Sequence, residues 1–319
     1  MNKKRKAIIE QNEISELVTF SLGGYEQKVL IEGKSKNLPV VITLHGGPGT
    51  PIPFSVGCRG LFPEFTDKFI MVYWDQLGCG KNNYKIDDSF KISSFVEMTS
   101  DLIDNLKKMF PENKILIFST SWGSVLSAEV ASLKADALDG VVVCGQIIKD
   151  IFFNDEVIGT LEKSDIPKRK LEIIKGADPK NATPNELKTV NACLTKYTDA
   201  YNNKNGEKAP MGTMIMGLMT SPDYSFKDFK AVVDNGYKVN NSIWDELLKS
   251  DFTEKVCSVK IPYHILQGDT DIVASTAVVK SVVDASENEN LRYTIVKNTG
   301  HFPGVEMMDK VFESLCELT

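Results

Sequence analysis

Apolar residues in this chain gather into short runs that are either continuous or spaced as on one face of a helix. Pro39–Leu44, Phe69–Trp74 and Ile115–Phe118 are nearly unbroken, the pattern of strands covered on both faces in a parallel sheet. Ser15–Leu22 and Lys28–Glu32 are β-branched or apolar runs parted by Gly23-Gly24, which predicts a hairpin ahead of them. Phe95, Met98, Leu102, Leu106 and Met109 keep helical spacing. With Ser94 and Glu97 as a capping-box start, they predict a helix over 94–110. A second helix is expected from Gly123 to Lys134, and another buried strand over Leu138–Cys144.

From about Gly145 to Trp244 this alternation stops. The sequence turns helical in pattern, richer in Lys and Asn, with breaks at Asp178-Pro179, Thr183-Pro184 and Ser221-Pro222. Strand and helix then resume: Ile261–Leu266, a helix near Ala274–Ala285, Leu291–Val296, and a final helix near Val305–Leu318. The last strands need the first ones to complete a sheet, so the expectation is one α/β core, 1–144 with 245–319. A helical cap, 145–244, is then inserted after the sixth strand.

Composition narrows the function classes. The 319 residues are 42% hydrophobic, enough for a large core, and the net charge of −6 comes from interspersed acids and bases without a basic stripe. That argues against a nucleic-acid partner. The charged start Met1–Lys6 is followed by no continuous apolar stretch, and no window approaches the roughly 18 apolar residues that span a bilayer. The six cysteines are far apart with no C-x-x-C pair, which suggests neither a zinc knuckle nor a redox motif. A cytoplasmic protein with reduced thiols and no membrane partner is expected; a homo-oligomer is left open.

The candidate chemistry begins at Phe118–Ser124, FSTSWGS. In a nucleophile elbow the residues two before and two after the reactive one nearly touch, so both must be small. Ser119, Thr120 and Ser124 each have a bulky flank; Ser121, between Ser119 and Gly123, does not. The partners should follow in the order acid, then histidine. Of the three histidines, His264 sits inside an apolar strand and His45 precedes the nucleophile in a glycine-rich turn. His301, directly after the last expected strand, remains. Asp271 in Gln267–Asp271 is the expected acid, with Asp269 in reserve. Donors for the developing oxyanion are expected from the N–H of Trp122 and that of Gly46 or Gly47, in His45–Gly49 after the strand Val40–Leu44.

These motifs, His45–Gly49, Tyr73–Gly80, Ser121–Ser124, Gly268-x-x-Asp271 and Gly300-His301, resemble in kind and order those of the prolyl aminopeptidase (proline iminopeptidase) group of α/β-hydrolases. The resemblance covers the core closely and the cap poorly. It implies the α/β-hydrolase fold, with a mostly parallel sheet flanked by helices. It also implies a serine hydrolase without metal or cofactor that removes an N-terminal residue from a short peptide, often proline. Ser121, Asp271 and His301 would form the triad, and Gly46, Gly47 and Trp122 the oxyanion hole. Leu77 stands where the family usually has arginine, and Ser119 where the elbow usually begins with glycine. Trp74, Glu156 and Met216 are the residues expected to face substrate, the last from the methionine-rich run Met211–Met219. Two other readings remain: a carboxylesterase acting on small apolar esters, and a hydrolase-fold binding protein without activity. Serine at the elbow disfavours dehalogenase and epoxide-hydrolase chemistry, which uses aspartate there.

Overall fold

Each nearly unbroken apolar run is a strand, and with the flanking, more polar strands they make one eight-stranded sheet in the order β1-β2-β4-β3-β5-β6-β7-β8. The structure, a computed structural model, describes residues 3–51, 62–202, 221–235 and 241–319, with Met216, Met219 and Tyr237. A helix the sequence pattern does not announce, α1 (Lys3–Gln11), comes first; its run of basic residues carries no apolar stripe. The hairpin β1 (Ile14–Leu22) and β2 (Tyr25–Gly33) is antiparallel, and both turn glycines take positive φ, +58° and +79°, as a two-residue hairpin turn requires. β2 also pairs antiparallel with β4 (Ile70–Trp74). All other pairings, through β3 (Val40–Leu44), β5 (Ile115–Thr120), β6 (Gly140–Cys144), β7 (Tyr263–Gly268) and β8 (Leu291–Val296), are parallel.

Alternate residues of the central strands enter different cores, which is why their runs are continuous. Val40, Ile42, Ile115, Ile117, Val141 and Val143 pack with the helices α3 (Ile92–Met109) and α4 (Trp122–Leu133). Val41, Leu116, Phe118 and Val142 pack with α2 (Phe65–Lys68) and, from the end of the chain, with Met307, Val311 and Leu315.

The helix expected from Ser94 begins two residues earlier, at Ile92. Ser94 lies inside the first turn, where its hydroxyl accepts the Lys91 N–H at 3.2 Å. The first helical amide, Ile92 N–H, is held at 2.8 Å by Glu246, a residue 154 positions away. A cap supplied by a distant carboxylate leaves no local signature, so the start is displaced relative to the sequence reading. At the other end Met109, expected on the buried face, is 42% exposed.

Between β6 and β7 run α5 (Asp155–Glu162), α6 (Lys168–Gly176), α7 (Pro184–Tyr197), α8 (Phe226–Val233), α9 (Ser242–Lys249) and α10 (Thr253–Cys257). Three of their starts are locally encoded: Asn154 caps α5 through the Val157 N–H, Thr183 with Glu186 forms a capping box around Pro184 at the start of α7, and Ser225 with Asp228 forms one at the start of α8. After β7, α11 (Thr276–Ser286) is capped by Ser275, and α12 (Val305–Glu317) closes the chain.

The parallel register aligns the C-terminal ends of β3, β5, β6 and β7 on one edge: Leu44 pairs with Ser119, Thr120 with Cys144, and Cys144 with Leu266. The loops leaving that edge carry residues 45–49, 121, 145–146 and 269–271, and β8 delivers 301 beside them. In open α/β sheets this is the edge at which ligands bind.

Candidate active site

Ser121 is the single residue between β5 and α4, and the turn it makes is sharp enough to hold it at φ +50° and ψ −119°. For a residue with a Cβ this conformation costs on the order of 1–3 kcal/mol, and it persists only where the surroundings enforce it. The enforcement is visible. Ser121 N–H donates to Cys144 O at 2.9 Å, extending the β5–β6 ladder past the strand, and Ser124 N–H returns to Ser121 O at 2.7 Å. Gly123 lies so close to β3 that a Cβ there would stand 2.1 Å from Leu44 O. Glycine at 123 is therefore demanded by contact, not by φ.

His301 Nε2 lies 2.8 Å from Ser121 Oγ, and its Nδ1 lies 2.8 Å from Asp271 Oδ2. With the Nδ1–H donating to the carboxylate, Nε2 is left as the acceptor for the serine hydroxyl. Asp271 is 1% exposed and its other oxygen, Oδ1, accepts the N–H groups of Val273 and Ala274, each at 3.0 Å. Asp269 points elsewhere: its Oδ1 accepts Thr299 N–H at 3.1 Å and so braces the loop that carries the histidine. Space for the imidazole comes from Gly145, where a Cβ would sit 3.1 Å from the ring.

Sequence reasoning did not find the residues that hold these groups. Gln267 donates from Nε2 to Asp271 Oδ2 at 3.2 Å, and its carbonyl oxygen accepts Gln146 N–H at 3.1 Å. The stretch following α7 also reaches the loops that carry the histidine and the acid. Ala200 O accepts His301 N–H at 2.7 Å, Tyr201 O accepts Phe302 N–H at 3.1 Å, and Asp199 O accepts the Thr270 hydroxyl at 2.9 Å. All three contacts use main-chain carbonyls, which any residue type supplies, so no sequence signal marks them.

The glycine-rich turn after β3 lies against the serine. A Cβ on Gly46 would come within 3.2 Å of Ser121 Cβ, and Gly47 has φ +122°, which favours glycine. Trp122 is the first residue of α4, so its N–H has no carbonyl within the helix to bond. Beside this turn His45 is buried, and burial drives its pKa down to about 4. Neutral His45 shares its Nδ1–H with Gly46 O at 2.8 Å and accepts Gln76 N–H on Nε2 at 3.0 Å. Asp75 next door is buried too. Burial raises its pKa to about 6, against the hydrogen bonds it accepts from Tyr224 OH at 2.5 Å and Lys81 N–H at 2.7 Å. Lys81 in turn pairs with Asp228 at 2.9 Å, so the turn after β4 is tied to α8 and the segment before it.

The residues expected to face substrate are not brought together. Trp74 is 2% exposed in the core, with its indole N–H on Gln27 Oε1 at 2.9 Å. An inward-facing position at the end of a fully covered strand buries it. Glu156 is exposed on α5 and accepts the Ser275 hydroxyl at 2.6 Å. Met216 is 60% exposed, and Met211 and Met214 lie outside the described residues. His264 donates to or accepts from the Thr294 hydroxyl at 2.9 Å within the sheet, as a strand histidine would. Among the described residues no group of three or more His, Cys, Asp or Glu is placed to hold a metal ion.

The serine in place of the elbow glycine has its own partner: Ser119 Oγ lies 2.9 Å from Ser127 Oγ in the buried face of α4. Ser119→Gly is therefore expected to destabilise the protein by about 1–2 kcal/mol, from the lost hydrogen bond and the added chain freedom. Urea denaturation measures this; an unchanged or raised midpoint would show the hydroxyl to be a passenger.

A mostly parallel sheet with a serine elbow on its C-terminal edge defines a class, and the chain belongs to it: the alpha/beta hydrolase fold family matches residues 39–306. Over 309 residues, 94% of each chain, it is 23% identical to the probable aminopeptidase YbaC of Bacillus subtilis (strain 168). Over 114 residues, 35% of this chain and 34% of the other, it is 34% identical to the proline iminopeptidase of Neisseria gonorrhoeae. The crystal structure of the proline iminopeptidase from Mycobacterium smegmatis shares the fold, with a TM-score of 0.60 at 17% identity over 95% of this chain and 97% of that one. Family and relatives together place the chain among the hydrolases. No helix among the described residues is long and apolar enough to cross a membrane.

Proposed function

We propose that this chain is a serine hydrolase that cleaves an amide or ester through an acyl-enzyme, and that it acts as a prolyl-aminopeptidase-like exopeptidase on short peptides. The observation that carries the chemistry is the row Asp271–His301–Ser121, two contacts of 2.8 Å ending on a hydroxyl at the elbow. Ser121 Oγ attacks the substrate carbonyl while its proton passes to His301 Nε2; the new C–O bond places a negative charge on the carbonyl oxygen. Gly46 or Gly47 and Trp122 donate N–H groups to that oxygen. Asp271 accepts the Nδ1–H and stabilises the imidazolium. Collapse of the intermediate breaks the scissile bond, and His301 Nε2 returns the proton to the leaving amine or alcohol. Water, deprotonated by the same nitrogen, then releases the acid and restores the serine.

In this reading residues 145–244 form a cap over the site, and the protein works in the cytoplasm, where its thiols stay reduced. The exopeptidase assignment draws on the names of the relatives. One observation favours a second reading, hydrolysis of small apolar esters: Glu156, the acid among the residues expected to face substrate, is exposed and already bonded to Ser275. Parallel assays with proline and alanine anilides, their N-acetylated forms, and a short-chain aryl ester separate the two. Turnover of the anilides only when the amine is free is the expected result. Turnover of the ester with none of either anilide would remove the exopeptidase assignment and leave the esterase.

A further inference from the structure

Gln76 is wholly buried at the turn after β4, and its polar atoms meet the two elements that bear the proposed oxyanion donors. Its Oε1 accepts the Trp122 indole N–H at 2.8 Å, its Nε2 donates to His45 O at 3.3 Å, and its own N–H donates to His45 Nε2 at 3.0 Å. These contacts reach 46 positions along the chain to α4 and 31 positions back to the turn after β3. In a trans peptide the C=O and the following N–H point in opposite directions. Holding His45 O inward therefore fixes the Gly46 N–H in the opposite direction, and Gly46 itself lies against Ser121. The next peptide is held the same way, since Gly46 O accepts both His45 Nδ1–H at 2.8 Å and Thr50 N–H at 3.1 Å. That orients the Gly47 N–H. The proton on His45 Nδ1 is available because Nε2 is occupied as an acceptor of Gln76 N–H, so one residue also sets the tautomer of the other.

We infer that Gln76 is a positioning residue for the reaction: its carboxamide couples Trp122 to the His45–Gly46 peptide and keeps the oxyanion donors of both elements aimed at one point. The inference rests on the serine-hydrolase reading. It explains a feature of the sequence that the fold alone does not require. A buried side chain at this position could be apolar, whereas a carboxamide is demanded by an indole donor on one side and a peptide carbonyl on the other.

Donors held in advance contribute to the transition state more than to substrate binding. Gln76→Met keeps the size and removes both side-chain bonds. It is expected to lower kcat by about 10- to 100-fold, with KM within about twofold. Affinity for a boronic acid that forms a tetrahedral adduct with Ser121 should fall in step with kcat, while affinity for the hydrolysis product stays the same. Gln76→Glu preserves shape and the acceptor for Trp122 but turns a carboxylate oxygen on His45 O. Its kcat should be at least as low near neutral pH. Relative to the unaltered protein it should recover as pH falls, because a protonated carboxyl can again donate to that carbonyl. If Gln76→Met does not fold, the pH profile of Gln76→Glu decides alone.

Labelling with a fluorophosphonate separates the two levels. If the unaltered protein is labelled, Ser121→Ala is not, and both Gln76 variants retain kcat and boronate affinity within about threefold at every pH, the hydrolase reading stands and the inference about Gln76 falls. Loss of substrate affinity with unchanged kcat would also overturn it. If the folded, unaltered protein is neither labelled nor active on any substrate of the panel, both fall together.

Discussion

Alanine at Ser121 is expected to lower kcat by a factor on the order of 10⁵, alanine at His301 by a similar factor, and the double substitution by little more than either alone. The reason is the geometry of a single proton path. His301 Nε2 meets the Ser121 hydroxyl at 2.8 Å, and among the described residues it is the base that the hydroxyl reaches. Each residue is worth its full effect only while the other is present, so losses that multiply, giving a factor near 10¹⁰, would contradict the arrangement. Neither substitution should unfold the protein. Alanine takes the same backbone angles as serine at position 121, and the main-chain bonds to Cys144 O and from Ser124 N–H remain. Steady-state kinetics on the best substrate of the panel, with near-ultraviolet circular dichroism as a check on packing, reads both outcomes. A Ser121→Ala protein with native spectra and more than about a tenth of the original kcat would place the nucleophile elsewhere.

The second large effect is a pH dependence that the unaltered protein conceals. Asp75 has its pKa raised from 3.8 to about 6, mainly by burial. A carboxyl whose folded pKa lies above its unfolded one stabilises the fold fully below the unfolded value and loses that contribution as pH rises through the folded value. His45 has its pKa lowered from 6.5 to about 4, also mainly by burial. Its contribution is present above 6.5 and disappears as pH falls through about 4. Each contribution is therefore about 3 kcal/mol, and between pH 4 and pH 6 they run in opposite directions.

The groups around each residue support this assignment. Asp75 faces Tyr224 OH, Lys81 N–H and, further off, the charges of Lys81 and Asp228; His45 faces the Gly46 carbonyl, the Gln76 amide and, 3.8 Å from Nε2, the thiol of Cys79, which burial keeps protonated. Asn at position 75 can accept from both Tyr224 and Lys81 but does not ionise. Asp75→Asn is therefore expected to be more stable than the unaltered protein by up to about 3 kcal/mol at pH 7.5 and no more stable at pH 3.5. Its stability should fall visibly from pH 6.5 to pH 4, now that Asp75 no longer offsets the protonation of His45; His264, whose pKa burial also lowers, adds to that fall. Urea midpoints across this range test it. Parallel profiles for the two proteins would mean that Asp75 is not protonated in the fold.

Much of this could be read before any coordinates. The two-sided burial of β3 to β7 is written as largely apolar runs, because a strand with a core on each face admits a polar side chain only where a partner meets it, as for Ser119 and Gln267. The elbow at Ser121 follows from the size of its flanking residues, and His301 from scarcity: the chain has three histidines, and the other two fall in a strand and before the nucleophile. Where the reading failed, the deciding interaction was long-range. Trp74 belongs to a motif at the right edge of the sheet, yet its side chain turns to Gln27 in the core. The start of α3 is set by Glu246, and the histidine loop by the carbonyls of Ala200 and Tyr201.

The sequence by itself determined the strands and singled out Ser121 and His301 as candidates, with two aspartates left between them, because these depend on local periodicity and on residue types that are rare in the chain. Only the tertiary structure decided that Asp271 and not Asp269 meets the imidazole, that Asp75 and His45 are dehydrated enough to shift their pKa values, and that Gln76 joins two distant turns. Those outcomes depend on which atoms come within about 3 Å of each other across long stretches of chain, and hydrogen bonding and desolvation at that range leave no periodic trace in the order of residues.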